Sequence, residues 1–529
     1  MLRRMFMGAA AASAVAGLAR AQGRPSTELT FGRATEHSAI DPHFSQTGPN
    51  NATASGIFER LVAFTAANQL QPSLAVSWKT LDPLTWEIKL RPGVTFHDGT
   101  PFTANDVAYS LDRVRHINRS PAPFTHAVSN VAAAEVVDAL TLHVRTPAPT
   151  PLLMEQIGLI FIVPAKLGAG VGNDEFNNGK AAIGTGPYRF ESWVPNDRAT
   201  MSANAKWWGG KPDWQRVTLR FIPNNAARLA ALLTGEVDLI DSVPPTDAAK
   251  LDHNDQVKVF SRATNRIIYL ALDTARDDTP FVTGRDGQAL PHNPLRDVRV
   301  RQAMSEMINR DVIASRLLSG AAVPAGQIVP QGEGGYTAAL APSPLDLKHA
   351  KDLLEQAGYP QGFRVTLHSS ADRYPGDAQV AQAAGQMFAR GGLQVAGVEA
   401  LPYNVFAPGA TDRKYSVFLF GWSSSTGDSS EALRSILATY DPVNGLGALN
   451  RTRYSNANFD ALLAQASAEF DEAKRNALLA DATAVAMHDY AVLPLYWQKA
   501  IWAARPGVRF EANESEDSSV LFAHPAGGT

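Results

Sequence analysis

The sequence contains no cysteine. That absence excludes a disulfide, a thiolate metal site, a cysteine nucleophile and a lipid-bearing cysteine behind an export signal. Charge of one sign is also scarce: 48 Lys and Arg stand against 51 Asp and Glu, a formal net charge of −3. With no dense basic run, neither nucleic acid nor an anionic membrane surface is indicated as a partner. Beyond the N-terminal segment no apolar stretch is long enough to span a bilayer. There is no Walker A loop, no Gly-x-Ser-x-Gly elbow and no His-Glu-x-x-His helix, so no nucleotide-hydrolysing, serine-hydrolase or zincin signature exists. Nothing in the sequence asks for a cofactor. A glycosidase-type carboxylate pair stays open, because separation along the chain says nothing about separation in space.

What is present begins with a basic start containing Arg3 and Arg4, a small, apolar stretch from Gly8 to Leu18, and Ala19-Arg20-Ala21. This pattern predicts a signal peptide over residues 1–21, cut after Ala21. Its apolar core of about a dozen residues falls short of the roughly 20 that a membrane span needs. Arg3-Arg4 followed by Phe6 fits a twin-arginine signal and an ordinary Sec signal alike. The expected location is the periplasm, free of any anchor. Hydrophobic content of 45% with 19% charged residues is that of a globular chain, and its length exceeds what one core supports, so two or more lobes are expected.

Along the chain, helix and strand signals alternate. Trp86, Ile88 and Leu90 alternate with charged residues, then Pro92-Gly93 and Asp98-Gly99 mark turns, and Thr103 with Asp106 three residues on predicts a helix start. Arg228–Leu233 reads as helix stopped by Gly235, and Val237–Ile240 as a strand. Asp346 caps a predicted helix through Leu347, Ala350, Leu353, Leu354 and Ala357, closed by Gly358 and Pro360. Phe363, Val365 and Leu367 follow as a strand, and a helix from about Gly376 to Arg390 stops at Gly391-Gly392. The class is α/β, with no short solenoid repeat.

Several segments together resemble the extracellular solute-binding proteins of family 5, which serve importers of peptides, nickel and opines. They are Ile40-Asp41-Pro42-His43, Leu70–Ala75 with Trp78, Trp86–Val114 including Arg91–Gly99, Gly184-Thr185-Gly186-Pro187-Tyr188, Asn293–Ala303, and Ala350–Leu354 with Ala357–Pro360. The resemblance implies a two-lobed periplasmic-binding-protein clamshell (type II, cluster C) with an extra subdomain on lobe I at about residues 48–185. Lobe I would take residues 22–270 with 498–529, and lobe II residues 271–497. The chain would cross between lobes near Tyr269–Asp273 and Leu493–Trp497. The implied function is capture of a small peptide-like solute, a di- or oligopeptide or a glutathione-like peptide, by hinge closure, and its delivery to an ABC permease. The implied protein is a monomer and not an enzyme. A non-peptide solute such as an opine, an organic acid or a nickel complex is the alternative, as is service to a chemoreceptor or sensor.

The resemblance also implies a ligand site. Arg373, in Ser369–Pro375, stands where dipeptide binders carry the arginine for the ligand carboxylate, and a guanidinium fork matches two carboxylate oxygens. A salt bridge to Asp372 or Asp377 would be its structural alternative. Gly421-Trp422 matches the family's Gly-Trp pair, with the Trp422 indole offering a stiff face for the solute. Three residues beyond Trp422, where dipeptide binders place an ammonium-accepting aspartate, this chain has Ser425. The run to Asp428 resembles the glutathione-binding branch. Three possibilities stay open: Asp428 takes the ammonium or serves as a helix cap, the amine lies elsewhere as in a γ-glutamyl peptide, or the ligand has no amine. Glu36, Phe44, Tyr374 and Tyr403 are further candidate walls of the cleft, or packing residues. His37, His43 and His97 are the candidate metal ligands, but the location of His43 and His97 inside general family segments favours a structural role; no metal is expected. Gly168, Gly170 and Gly172 lack the flanking strand and helix of a dinucleotide loop and read as a plain loop.

Overall fold

The computed structural model describes residues 27–424 and 429–527. The predicted signal peptide, Ser425 and Asp428 lie outside the described residues. The chain starts with β1 (Glu28–Arg33) and α1 (Gly48–Ile57). It then builds a separate antiparallel sheet from β2 (Ala75–Asp82), β3 (Thr85–Leu90), β4 (Ala133–Asp138) and β5 (Thr141–Arg145), in the order β2-β3-β5-β4. Trp86, Ile88 and Leu90, the alternating residues of β3, are buried against Val107 and Leu111 of α2 (Ala104–Arg113). Helix α2 starts where Thr103 and Asp106 meet, the backbone N–H of Thr103 donating to Asp106 Oδ2 at 2.8 Å.

Apart from two short two-stranded sheets, Val62–Phe64 with Leu70–Pro72 and Val508–Phe510 with Ala523–Pro525, the other strands share one large sheet. In chain order its strands are β1, β6 (Tyr188–Val194), β7 (Arg198–Ala203), β8 (Arg216–Phe221), β9 (Leu239–Ile240), β10 (Lys258–Leu272), β11 (Val282–Thr283), β12 (Ala322–Pro324), β13 (Arg364–Ser370), β14 (Gln394–Leu401), β15 (Val417–Trp422) and β16 (Val492–Ala504). Their spatial order is β11-β13-β15-β10-β16-β9-β1-β8-β7-β6, with β14 beside β13 and β12 beside β16. Helices α3 (Asn225–Thr234), α4 (Val298–Glu306), α5 (Leu347–Gln356), α6 (Asp377–Gly391), α7 (Ala457–Ala468) and α8 (Glu472–His488) connect and cover it. Asp346 caps α5, accepting from the His349 backbone N–H at 2.9 Å, and Gly235 ends α3 in the left-handed conformation at φ 81°, where glycine carries no Cβ penalty.

Strands β10 and β16 run antiparallel through the middle of this sheet and join its two halves. Their register shifts between Ile268 and Tyr269, beside the crossing expected near Tyr269–Asp273, and breaks between Ala263 and Ile267. The reason for the break is a polar run, Thr264-Asn265-Arg266, inside an otherwise apolar strand. Thr264 Oγ1 donates to the Gln498 carbonyl at 2.8 Å and Asn265 Nδ2 to the Ser424 carbonyl at 2.9 Å. Past the break, Ile267 and Tyr269 face one buried cluster with Phe418, Phe420 and Leu479. Ile268 and Leu270 face another with Leu367, Phe388 and Leu419. That half is therefore apolar on both faces, as a sheet covered on both sides must be. The other half has its own core around Leu29, Phe31, Leu219, Leu239 and Trp502. The result is a two-lobed α/β clamshell.

Several of the family-like segments turn out to be joints within the two lobes. Arg113 of α2 grips Asp41 with two parallel bonds of 2.9 and 2.7 Å and also donates to His43 Nδ1 at 3.0 Å. His43 Nε2 reaches the Phe161 carbonyl at 2.7 Å. His97 Nδ1 accepts from the Gly184 N–H at 3.2 Å while its Nε2 pairs with the Gly186 carbonyl at 3.0 Å. A Cβ on Gly184 would stand 1.9 Å from the Ile57 carbonyl oxygen, so that position admits only glycine. In the second lobe Arg301 donates to the Asp489 carbonyl at 2.6 Å and the Leu295 carbonyl at 3.0 Å. Both ring nitrogens of His43 and of His97 are thus already engaged within the fold. The glycines at 168, 170 and 172 form a surface loop that receives the Tyr109 hydroxyl on the Gly168 carbonyl at 2.7 Å.

Candidate functional site

A cavity of about 1110 Å³ opens between the lobes, and a second of about 600 Å³ adjoins it. Thr35, Arg266, Arg373 and Glu516 border both. The strand break at Thr264–Arg266 puts Arg266 at this boundary. Its guanidinium is held by Glu516, Nε to Oε1 at 2.9 Å and a terminal nitrogen to Oε2 at 3.0 Å, so its charge is spent inside the protein.

Arg373 is different. It sits in the turn between β13 and α6, and that turn is fixed without using its side chain. Asp377 Oδ2, at the start of α6, accepts from Ser370 Oγ at 2.6 Å and from the backbone N–H groups of Arg373 and Tyr374 at 3.1 and 3.2 Å. Asp372 Oδ1 accepts from the Tyr403 backbone N–H at 2.8 Å. Neither carboxylate pairs with the Arg373 guanidinium, which makes no ion pair or hydrogen bond among the described residues. It lies instead 5.4 Å from the Tyr374 ring centre and 5.5 Å from that of Tyr403, within cation–π range.

Tyr374 lines the smaller cavity and is buried. Its hydroxyl donates to the Gly421 carbonyl at 3.0 Å and accepts from the Gly421 N–H at 3.1 Å. Strand β15 is paired with β13 only at Val417 and Phe418, so the tyrosine hydroxyl stands in for a missing neighbour strand at Gly421. Burial pushes this phenol up to about 12. A Cβ at Gly421 would come within 2.8 Å of the Tyr374 ring, which is the local reason for glycine before Trp422.

The remaining expected residues divide. Glu36 lines the large cavity, but Oε1 accepts from Trp193 Nε1 at 2.7 Å and Oε2 from the Asn196 N–H at 3.0 Å. Trp422 packs against the second-lobe core, while the next residues, Ser423 and Ser424, line the cavity. Tyr403 serves the cleft as a support under Arg373. Phe44 stands back from the cavity, its carbonyl taking the Ser120 hydroxyl at 2.6 Å, and Ser45 lines the wall instead.

Residues not foreseen from the sequence also face the cavity. Glu59 accepts from Trp207 Nε1 at 3.1 Å and from Trp208 Nε1 at 2.8 Å, and burial raises its pKa. Arg60, beside it, covers the Phe161 ring at 4.0 Å, and Asp517 approaches from the C-terminal segment. No sequence signal singled these out, because their environment comes from segments far away in the chain. His37 lies tilted against the Trp193 ring, centres 4.5 Å apart, and is held neutral by burial, its pKa lowered to about 3. Among the described residues no cluster of three or more His, Asp or Glu is arranged to hold a metal ion.

The family model of the bacterial extracellular solute-binding proteins, family 5, matches residues 69–443. The chain belongs to that family. A curated relative, the glutathione-binding protein GsiB of Pectobacterium atrosepticum, is 29% identical over 457 residues, covering 84% of this chain and 83% of the relative. Among solved structures, HbpA2 from Haemophilus parasuis is similar with a TM-score of 0.80 at 23% identity, covering 94% of this chain and 99% of the other. The periplasmic binding protein DppA from Helicobacter pylori, in complex with peptide STSA, aligns with a TM-score of 0.74 at 23% identity, covering 94% and 98%. The relatives are binding proteins, and the clamshell with a cavity between its lobes is the architecture of a solute binder.

Proposed function

We propose that this protein is the periplasmic solute-binding component of an ABC importer, capturing a peptide-like solute of the glutathione class by hinge closure and handing it unaltered to the membrane permease. The observation that carries this is Arg373: a guanidinium bordering both cavities, supported by two tyrosine rings and left without a carboxylate partner among the described residues. The names of the curated relatives support the glutathione class. Residues 1–21 are the export signal in this reading. Residues 22–270 with 498–529 form lobe I, including the subdomain at about 48–185, and residues 271–497 form lobe II. The hinge is the pair β10 and β16 at the register break. The protein acts as a monomer.

Binding must exceed the cost of closing the lobes, so measured affinity is the surplus. A charge-assisted contact to a carboxylate contributes about 1.5–3 kcal/mol net, roughly a 10- to 100-fold change in affinity. Arg373→Ala should therefore weaken binding of reduced glutathione by that factor, measured by calorimetry on protein unfolded and refolded to strip co-purified solute. An unchanged dissociation constant would remove Arg373 from the site. Silence of the wild-type protein across glutathione, di- and tripeptides would remove the peptide class.

A further inference from the structure

Two charged side chains of the first-lobe wall, Arg60 and Asp517, form no ion pair among the described residues. Arg60 lines the cavity, spreads over the Phe161 ring at 4.0 Å, and makes no side-chain hydrogen bond or ion pair among the described residues. Its Nε is shielded from solvent and has no acceptor. Three of the most deeply buried guanidiniums among the described residues, by contrast, are saturated. Arg113 holds Asp41 at 2.7 Å, Arg228 donates to the Ile222 and Ser242 carbonyls at 2.8 and 2.9 Å, and Arg310 donates to the Pro494 and Ser305 carbonyls at 2.7 and 3.0 Å. Leaving one such group unpaired in a low-dielectric site is costly, so an empty Arg60 marks a place for an anion.

Asp517 faces the same cavity. Its Oδ1 accepts from the Ser519 N–H at 2.8 Å, and Oδ2 has no hydrogen bond among the described residues. Burial raises the Asp517 pKa, and the charge of Arg60 is the main opposing influence. Arg60, in turn, is lowered to about 10 by burial and supported by Asp517. The two groups therefore feel each other's field without forming an ion pair. Opposite charges facing one cavity are the complement of the carboxylate and ammonium carried on one carbon by a free amino-acid head.

We propose that Arg60 and Asp517 form a subsite for the free α-amino-carboxylate head of the solute, Arg60 taking its carboxylate and Asp517 its ammonium, while Arg373 takes a second carboxylate. This rests on the peptide-binding role proposed above and narrows it. An ordinary peptide keeps its ammonium and carboxylate at opposite ends and cannot fill three such positions. A γ-glutamyl peptide has two carboxylates and one ammonium and can. The serine at 425, where the family resemblance leads one to expect an ammonium acceptor, then costs the protein nothing.

The test is calorimetry with three probes: reduced glutathione, its N-acetyl derivative, and the derivative amidated at the glutamyl α-carboxylate. On the wild-type protein each cap should weaken binding roughly 10- to 100-fold, the range of a charge-assisted contact. Arg60→Ala should weaken glutathione similarly and lose nothing further with the amidated probe, and Asp517→Asn should do the same with the acetylated one. Capped probes that bind the wild type as tightly as glutathione would overturn the subsite, and this arm needs no variant to fold. If Arg373→Ala still weakens binding in that case, the subsite alone has failed. If the wild type binds neither glutathione nor other peptides, the parent role fails and the subsite with it.

Discussion

The two walls of the cleft are anchored by different kinds of interaction. Behind the first-lobe wall, full charges are paired out of water: Arg113 with Asp41 at 2.7 Å and Arg33 with Asp241 at 2.9 Å, all four side chains almost entirely buried. The second-lobe wall is held by neutral donors, with Tyr374 bonded to the Gly421 backbone and Asp377 gathering a hydroxyl and two N–H groups. A buried ion pair fixes geometry but uses up its charges. Hydrogen bonds from neutral donors fix the turn before α6 and leave the Arg373 guanidinium without an ion pair among the described residues.

The sharpest way to break this contrast is Arg113→Ala. It strands the Asp41 carboxylate and removes a donor from His43 in one step. Removing one partner of a buried pair costs about 3–5 kcal/mol, and the loss should appear in chemical denaturation as a lower midpoint. A change below about 1 kcal/mol, the range of exposed pairs, would mean that water reaches Asp41 and that the two walls are not built differently after all.

Acid should separate the walls next. Burial lowers His43 and His97 to about 4 and His37 to about 3, from an ordinary 6.5, and for His43 the Arg113 guanidinium adds to the effect. The unfolded chain takes up protons as pH falls below about 6.5. The folded protein does not until about pH 4. The contribution of these histidines is therefore intact above about 6.5, drains between there and about 4, and for His37 goes on falling to about 3. His43 alone contributes a loss on the order of 3 kcal/mol. Glu59 and Asp517, raised by burial, act in the opposite direction and offset part of it. In the second lobe His368 is lowered as well, so the first lobe should lose more. Urea midpoints between pH 7 and about 4.5, compared for wild type and His43→Gln, check this: the variant should show the shallower fall.

How much of this could be read from the sequence depends on distance along the chain. The strand of Trp86, Ile88 and Leu90, the cap at Asp346 and the stop at Gly235 are local patterns and lie where expected. Strand β13 hides more, because Thr366, His368, Ser369 and Ser370 are buried along with its apolar residues, a consequence of cover on both faces that no local alternation reveals. The family resemblance singled out Arg373, and its place at the border of both cavities comes from the fold. That Glu36 is occupied by Trp193 and Asn196, or that Arg60 and Asp517 share a cavity, depends on contacts between distant segments. The polar break at Thr264–Arg266 was visible as residues, but its effect on the register required the pairing of β10 with β16.

The smallest expected effect lies on the second-lobe wall. Tyr374→Phe keeps the ring beneath Arg373 and removes only the hydroxyl that serves both backbone groups of Gly421. Leaving a buried donor and acceptor unmet costs about 1–3 kcal/mol, and the low end applies if water from the adjoining cavity replaces the hydroxyl. The turn before α6 keeps its three bonds to Asp377, so Arg373 should stay in place. The expected result is a modestly lowered denaturation midpoint with glutathione affinity within about threefold of wild type. A large loss of affinity with little loss of stability would show instead that the Tyr374 hydroxyl touches the solute, and the wall described as a neutral scaffold would be part of the binding surface.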